Sequence, residues 1–186
     1  MYKNQSLKKY LDDLAARLPA PGGGSAAALG AALGAALMSM VVNFTLGKPK
    51  YAKYENELKN ILCKSEKLRQ EFLRLTDLDV IAYQSKNTRD ALNTPFMVSR
   101  LCYEGIKLCP TLLKKGNVNL ISDVAVAAIL LESGFSSAYF NVEINLKTLG
   151  DKKLAQAIRK ELNQKSKKIK KIRTAMEERV GKIIRG

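Results

Sequence analysis

One carboxylate stands at a position where it could do acid/base chemistry. From about residue 49 to residue 86, apolar positions recur at alternating steps of four and three, which predicts a long amphipathic helix, and Asp79 falls on the inner face. A carboxylate on a buried face loses hydration, so its pKa should rise, and it could exchange protons near neutral pH. A buried Asp that is satisfied by Lys or backbone partners fits the same pattern. Asp77 lies off this face.

A glycine-rich stretch is the second candidate. Pro19-Ala20-Pro21-Gly22-Gly23-Gly24-Ser25 leads directly into an uncharged helical segment. A glycine turn at a helix N-terminus offers free N–H groups and the positive end of the helix dipole, which suit a carboxylate, a phosphate or an oxyanion. No Lys-Ser/Thr pair follows the last glycine, and the spacing is not that of a dinucleotide fingerprint. A tight turn that lets two helices pack explains the stretch equally.

Further polar residues lie at predicted helix ends and on inward faces. Each alone is typical of a helix cap or a packing hydrogen bond, and whether they converge depends on the arrangement of the helices. They are Asn43, Lys48, Tyr51, Asn117, Asn119, Ser122, Asp123, Asn141 and Asn145.

The composition narrows the chemistry. The chain has no histidine, so catalysis would have to use Asp, Glu, Lys, Tyr, Cys or backbone groups. Its three cysteines, Cys63, Cys102 and Cys109, are odd in number and not spaced as CxxC, which argues against disulfides and zinc. The N-terminus does not read as a signal peptide. We therefore expect a protein of a reduced, cytoplasmic compartment.

The elements that would position these residues are all helical. No strand pattern of convincing length appears, and 1–186 reads as a single-domain bundle of about six helices. In the first, Leu7, Leu11, Leu14 and Leu18 form the apolar stripe. Residues 87–94 read as a loop, Thr94-Pro95 as a helix start, and Pro110 as a kink. The six segments are about 5–18, 25–46, 49–86, 95–115, 122–149 and 152–184.

The Ala/Gly-rich helix 25–46 is the predicted centre of the bundle. It is apolar on all sides, and Ala26, Gly30 and Gly34 form a ladder of small residues that permits close helix approach. The segment is long enough to span a bilayer. Ser39 and Asn43 in its interior, and the amphipathic character of the other helices, favour a buried core helix and no membrane.

The charge is unevenly distributed. The chain carries a net charge of +15, and residues 152–186 hold thirteen Lys and Arg against three Glu, a net charge of +10. Nucleic-acid binding and an acidic small ligand are both compatible with this excess. A solvated face of a Lys-rich helix explains it as well, and the aromatic residues do not cluster with the basic run, which weighs against nucleic acid.

Five blocks of sequence together resemble the cyclodeaminase/cyclohydrolase family, which includes the C-terminal half of formiminotransferase-cyclodeaminase and stand-alone methenyltetrahydrofolate cyclohydrolases. The blocks follow one another in the family's order across nearly the whole chain. They are Pro19-x-Pro21-Gly-Gly-Gly-Ser25-x-Ala27-Ala28-Leu29, Val42-Asn43-Phe44-Thr45-Leu46-Gly47-Lys48-x-Lys50-Tyr51, Asp79-x-x-Ala82-Tyr83, Gly116-Asn117-x-Asn119-x-x-Ser122-Asp123 and Asn141-Val142-x-Ile144-Asn145-Leu146-Lys147.

The resemblance implies an all-helical homodimer that binds tetrahydrofolate derivatives, often polyglutamylated, near the subunit interface. It implies either ammonia-releasing closure of 5-formimidoyltetrahydrofolate to 5,10-methenyltetrahydrofolate, or opening of the methenyl compound by water to 10-formyltetrahydrofolate. Neither step needs a metal or a redox cofactor, so the resemblance implies a protein without either. Asp79 matches the family's catalytic aspartate. The glycine entrance Gly22 to Ser25 and the Asn/Ser/Lys set would position the folate.

One segment departs from the family pattern. Residues 84–94 are shorter than the corresponding segment of family members. This shortening keeps a folate-binding member without catalytic activity as an alternative. The basic run over 152–186 keeps a basic helical protein that binds nucleic acid as another.

Overall fold

The computed structural model describes all of residues 1–186, which form α-helices joined by short turns and 3-10 segments, with no strands. The predicted all-α class is confirmed. The α-helices are α1 (Leu7–Ala15), α2 (Gly23–Asn43), α3 (Glu55–Gln84), α4 (Thr88–Ile106), α5 (Cys109–Lys115), α6 (Ile121–Leu149) and α7 (Lys152–Arg185).

The structure has seven α-helices where six were predicted, because the chain breaks into two helices just before Pro110. The segment predicted as one kinked helix over 95–115 is broken at Lys107 and Leu108, and Pro110 lies in the first turn of α5. A proline is tolerated there because the N–H that it lacks would have no intrahelical partner.

Helix α4 begins earlier than predicted. The side chain of Asn87 caps it by accepting hydrogen bonds from the backbone N–H groups of Arg89 at 3.0 Å and Asp90 at 3.2 Å. Residues 88–94 are therefore helical, and the predicted loop over 87–94 is wrong. Thr94 and Pro95 lie inside the helix, so the predicted start there is also wrong. A cap supplied two turns earlier extends the helix through Pro95, which removes one backbone hydrogen bond.

Helix α2 lies at the centre of the bundle, packed between α3 and α6, while α4 packs on both α3 and α6. Two glycines allow α2 and α6 to approach closely. A Cβ built at Gly34 would lie 3.1 Å from the carbonyl oxygen of Ala127, and one built at Gly134 would lie 3.1 Å from the Cβ of Ala31. The prediction of a buried, Ala/Gly-rich central helix is confirmed on these faces.

One stripe of α2 stays open to solvent, with Leu33 55% and Phe44 58% exposed. Of the small-residue ladder only Gly34 packs between helices, whereas Ala26 and Gly30 line a groove. By length and composition alone, Gly23–Asn43 and Val118–Leu149 could each cross a membrane, as many core helices of soluble proteins could. The absence of a membrane partner stays a prediction.

Helix α1 packs on the bundle through Tyr10 and not through its predicted leucine stripe. Leu7, Leu11 and Leu18 are 66%, 51% and 49% exposed, and Tyr10 is the only buried residue of α1. The rings of Tyr2 and Tyr10 meet edge to face at 5.3 Å. The helical period was right, but these tyrosine contacts decide which side of the short helix packs.

Candidate active site

The carboxylate of Asp79, on α3, lies directly against the backbone of Gly24 in the first turn of α2. A Cβ built at Gly24 would lie 2.7 Å from Cγ and 2.9 Å from Oδ2 of Asp79, and closer still to Oδ1. Only glycine leaves room for the carboxylate here. The two strongest candidates from the sequence, Asp79 and the glycine stretch, therefore form one site.

The surroundings of Asp79 set its proton affinity. Burial raises the pKa of its carboxyl, and a hydrogen bond from the backbone N–H of Ser25 partly opposes that rise. The N-terminus of α2 thus meets a desolvated side chain of this same chain. A carboxyl in this position can hold a proton at higher pH than an exposed Asp, which suits a general acid/base.

A buried chain of hydroxyl groups fixes the start of α2. The hydroxyl of Ser25 donates to the carbonyl oxygen of Thr76 at 2.9 Å, so the hydroxyl of Tyr10, 3.2 Å from Ser25 Oγ, is the donor to Ser25. Ser25 was predicted to bind substrate, but its side chain is fully buried and these two bonds occupy it. Its side chain locks α2 onto α3, while its N–H is directed at Asp79.

The other wall of the site comes from α6. The side-chain amide of Asn141 lies 3.6 Å from a Cβ built at Gly23, and it donates to the carbonyl oxygen of Ser137 at 3.0 Å. Asn145, one turn further, donates to the carbonyl oxygen of Ala91 at 2.6 Å and so holds α6 to the start of α4. An open groove of about 410 Å³ runs between α2 and α6 and includes Gly23, Ala26, Gly30, Ser133, Ser137, Phe140 and Asn141.

The remaining predicted residues gather elsewhere, around the C-terminal end of α2. The backbone N–H of Asn117 donates to Thr45 Oγ1 at 2.9 Å, and that of Val118 donates to the Tyr51 hydroxyl at 3.1 Å. A pocket of about 120 Å³ includes Lys48 and Tyr51. The other members of the predicted set also lie here, where α2 ends and α6 begins. They are Asn43, Asn119, Ser122 and Asp123.

These two groups, here called the Asp79 half-site and the Lys48 half-site, lie at opposite ends of α2. The helix has 21 residues, so its ends are about 30 Å apart at 1.5 Å per residue. Within one chain the predicted residues therefore do not converge. The helix that carries both groups also keeps them apart.

Sequence reasoning missed Tyr10 and underestimated Asp77. Asp77 lies off the predicted face but is buried, because the N-terminal segment covers a second side of α3. Its Oδ1 accepts hydrogen bonds from the backbone N–H groups of Tyr2 at 2.5 Å and Lys3 at 3.4 Å. The available signal for Tyr10 was the one aromatic ring in a short helix whose other large apolar residues are leucines.

The largest cavity of the molecule is not at either half-site. It measures about 1010 Å³, lies between α3 and α4, and contains Lys64, Lys67 and Arg74 but none of the predicted site residues. Its acidic groups, Glu71 and Glu104, are tied in ion pairs. We place the candidate site at Asp79 because chemistry needs a reactive group, and size alone does not supply one.

The fold and the Asp79 half-site define a class: all-helical proteins in which a desolvated carboxylate lies against a glycine-rich helix N-terminus. Residues 6–88 and 84–164 match the family model described as formiminotransferase-cyclodeaminase. The chain belongs to this family, and the resemblance seen in the sequence is confirmed. The two matched segments meet at residues 84–88, the turn between α3 and α4.

Individual relatives agree. The chain is 40% identical to methenyltetrahydrofolate cyclohydrolase of Methylorubrum extorquens, over 87% of this chain and 89% of that protein. It is 32% identical to formimidoyltransferase-cyclodeaminase of Rattus norvegicus, over 78% of this chain and 31% of that longer protein. The crystal structure of formiminotetrahydrofolate cyclodeaminase from Thermotoga maritima superposes with a TM-score of 0.93, at 28% identity, over 99% of this chain and 100% of that chain.

Proposed function

We propose that this protein is a tetrahydrofolate one-carbon enzyme that works on the carbon bound at N5 and N10 of the folate, with Asp79 as acid and base. The observation that carries the proposal is the contact of the desolvated Asp79 carboxylate with the Gly24 backbone. The enzymes named among its relatives are methenyltetrahydrofolate cyclohydrolases and formimidoyl- or formiminotetrahydrofolate cyclodeaminases.

The first candidate reaction is hydrolysis of 5,10-methenyltetrahydrofolate to 10-formyltetrahydrofolate. It is favoured by the 40% identity to the cyclohydrolase over most of both chains. Asp79 as carboxylate takes a proton from the attacking water as the new C–O bond forms. It then returns this proton to N5 as the C–N5 bond breaks, while the remaining hydroxyl proton of the intermediate passes to solvent, which leaves the formyl group on N10.

The second candidate is ring closure of 5-formimidoyltetrahydrofolate with loss of ammonia. It is favoured by the close superposition on the Thermotoga maritima cyclodeaminase. N10 attacks the carbon of the formimidoyl group in its protonated, amidinium form, so that this carbon carries an NH2 group, and Asp79 accepts the N10 proton. Asp79 then passes that proton to the NH2 group, the bond between the carbon and this nitrogen breaks, and ammonia leaves while the cationic methenyl bridge remains between N5 and N10. A carboxyl with a raised pKa serves both steps, and holding N10 beside the carbon supplies much of the rate.

Neither reaction changes the oxidation state of the carbon, so the proposal includes no redox cofactor. It includes no metal either, because Asp79 and backbone groups perform the proton transfers. It places the enzyme in the cytoplasm.

The test assays the purified protein with both folates side by side and follows the methenyl absorbance. We expect one substrate to turn over, and Asp79→Asn to lose that activity while still binding folate. Asp12→Asn is the matched control, because this variant makes the same chemical change at an exposed position of α1, where Asp12 pairs with Lys8. An Asp79→Asn variant as active as wild type refutes the catalytic role.

Other outcomes select the alternatives. Tight folate binding by the wild type without any turnover selects a binding protein without activity. Nucleic-acid binding that weakens steeply with salt and is lost when residues 152–186 are neutralised selects the basic helical protein.

The separation of the two half-sites supports a homodimer as the working form. A two-fold axis perpendicular to α2 near its middle would bring the Asp79 half-site of one protomer to the Lys48 half-site of its partner. Two equivalent composite sites would then form from residues about 30 Å apart in each chain.

The exposed stripe of α2 is suited to this pairing. Its members repeat at steps of three and four; they are Gly23, Ala26, Gly30, Leu33, Leu37, Met40 and Phe44. Small residues occupy its first half and large ones its second half, with Leu33 in the middle. In an antiparallel pair centred on Leu33, each small residue faces a large one, so that Gly23 lies opposite the partner's Phe44. Small residues facing large ones let the two helices interlock without voids.

Subunit mixing tests this arrangement. Asp79→Asn and Lys48→Ala damage different half-sites, so each homodimer should be inactive or weakly active alone. After subunit exchange half the dimers are heterodimers with one intact composite site, which predicts about one quarter of wild-type activity. A mixture no more active than its separate components contradicts the shared site. Leu33→Glu, which places a charge at the centre of the stripe, should yield monomers in light scattering.

A further inference from the structure

The short helix α1 reaches the core of the bundle with one side chain. Tyr10 is its only buried residue, whereas Leu7 and Leu11 are exposed. The hydroxyl of Tyr10 lies 3.2 Å from the fully buried Oγ of Ser25, in the first turn of α2. Because a buried hydroxyl is costly unless it is hydrogen-bonded, this bond fixes where the phenol lies.

The N-terminal segment holds the Tyr10 ring in place. The Tyr2 ring packs on it edge to face at 5.3 Å. Tyr2 is itself held at two points, because its N–H donates to Oδ1 of Asp77 at 2.5 Å and its hydroxyl donates to Oδ2 of Asp13 at 2.8 Å. Asp77 lies two residues before Asp79 on α3. The phenol of Tyr10 is therefore anchored to the same stretch of α3 that carries the proposed acid/base group.

Ser25 connects the Tyr10 hydroxyl to the Asp79 carboxylate. Its Oγ accepts a hydrogen bond from Tyr10 and donates to the carbonyl oxygen of Thr76 at 2.9 Å, one turn before Asp79 on α3. Its backbone N–H is hydrogen-bonded to the Asp79 carboxylate. Ser25 thus holds both the carboxylate and the helix that carries it, and Tyr10 fixes the side chain of Ser25.

The groups that face the Asp79 carboxylate are few. Helix α2 carries no charged residue, and Asn141, which lies against the same turn from α6, is neutral. From α1, the phenol of Tyr10 is close enough to sense the carboxylate: burial raises the pKa of Tyr10, its bond to Ser25 opposes that rise, and the charge of Asp79 adds to it. Asp77, on the same helix, is turned to the N-terminal segment. Burial and the Ser25 N–H are therefore the two influences on the proton affinity of Asp79.

We propose that Tyr10 is a positioning residue for Asp79, which fixes Ser25 so that the Ser25 N–H holds the carboxylate in place for proton transfer. This inference rests on the proposed function. Without the Tyr10 hydroxyl, Ser25 Oγ keeps one hydrogen bond instead of two. The first turn of α2 then gains freedom, and the bond from the Ser25 N–H to the carboxylate weakens.

Tyr10→Phe removes the hydroxyl and keeps the ring. Because the Ser25 N–H stabilises the charged form, a weaker bond should raise the pKa of Asp79. Asp79 acts first as a base in both candidate reactions, so the acid limb of the kcat/KM profile should move to higher pH by up to about one unit, the shift that one hydrogen bond supports. The value of kcat should fall by up to about tenfold, and KM should stay unchanged because the buried phenol does not touch substrate.

Tyr2→Phe is the matched control. It removes a hydroxyl that bonds to Asp13, while the ring still packs on Tyr10, so kcat and the acid limb should stay as in wild type. Ser25→Ala removes the connecting hydroxyl and should move the limb in the same direction. The double variant Tyr10→Phe/Ser25→Ala should move it no further than Ser25→Ala alone, because Tyr10 acts through Ser25. An unmoved limb in Tyr10→Phe, additive shifts in the double variant, or an equal shift in the control overturns the proposal.

A titration that needs no turnover separates this inference from the proposed function. NMR of protein with isotope-labelled aspartate carboxyl carbons follows the pKa of Asp79, whose signal is identified by its loss in Asp79→Asn. We expect a higher pKa in Tyr10→Phe and the wild-type pKa in Tyr2→Phe. If wild type turns over neither folate, the proposed function fails and this titration still decides the role of Tyr10. If Asp79→Asn is inactive but Tyr10→Phe leaves the pKa of Asp79 unchanged, the catalytic role of Asp79 stands and the role of Tyr10 is overturned.

Discussion

Replacing Gly24 by alanine is the sharpest perturbation of the Asp79 half-site, because it adds one methyl group where the carboxylate now lies. That methyl group would lie 2.7 Å from Cγ of Asp79, whereas ordinary contacts begin at 3.4 Å. The carboxylate must therefore retreat by at least 0.7 Å, the difference of those two distances. The first turn of α2 is held on its other side by Ser25, so the side chain of Asp79 is the part that moves.

The effect on catalysis should be far larger than the effect on stability. A misplacement of about 1 Å at a reacting group lowers the rate by about 100-fold, so we expect kcat/KM of Gly24→Ala to fall by about that factor. In a helix, alanine is favoured over glycine by about 0.5–1 kcal/mol. Displacing the Asp79 side chain from its rotamer costs about 0.5–1.5 kcal/mol, so the two terms nearly cancel.

Steady-state kinetics and urea unfolding of the same preparations separate the two quantities. Gly181→Ala is the matched control, since its added methyl group meets only the flexible end of Arg185 on α7. The control should keep wild-type kinetics. If Gly24→Ala keeps kcat/KM within a few-fold of wild type, the reasoning that ties catalysis to the position of the Asp79 carboxylate is refuted.

Three further predictions follow from the same contacts. Burial raises the pKa of Asp79 in the folded chain, so its contribution to stability is complete below its unfolded pKa and is lost as pH rises through its folded pKa. Asp79→Asn should therefore gain stability relative to wild type as pH rises through that window. The gain is about 1.4 kcal/mol for every tenfold difference in proton affinity between the folded and unfolded chain. The prediction is contradicted if urea unfolding gives the same stability difference between variant and wild type at acid and at neutral pH. Gly34→Ala should lose about 1–3 kcal/mol in urea unfolding, because its Cβ would press on the Ala127 carbonyl, and an unchanged midpoint would show that α2 and α6 can separate freely. Tyr10→Phe should lose about 1 kcal/mol through the missing hydrogen bond to Ser25, and no loss in thermal or urea unfolding would remove Tyr10 from the hydroxyl chain.

Local rules were sufficient for much of the fold. The steps of three and four that ran through Leu58, Ser65 and Phe72 predicted α3, and these residues are buried. Gly150 marked a real helix end, because it has a left-handed φ of 73°. Pro110 was predicted as a kink and instead lies in the first turn of a separate helix, where its missing N–H leaves no hydrogen bond unmade. Local rules failed at the start of α4, where two residues could each cap the helix. Asn87 caps it in the structure, and Thr94, the predicted cap, lies inside the helix.

The sequence by itself determined the residue types of the site, the all-helical class and, through five ordered blocks, the family. It placed Asp79 on the apolar face of α3, because helical period alone decides which residues share a face. Only the tertiary structure brought Asp79 against Gly24, 55 residues earlier in the chain, and only it occupied the Ser25 hydroxyl with Tyr10 and Thr76. The structure also divided the predicted residues between the two ends of α2. Contacts between distant segments depend on how faces of different helices meet, and the period of one helix carries no information about its neighbour.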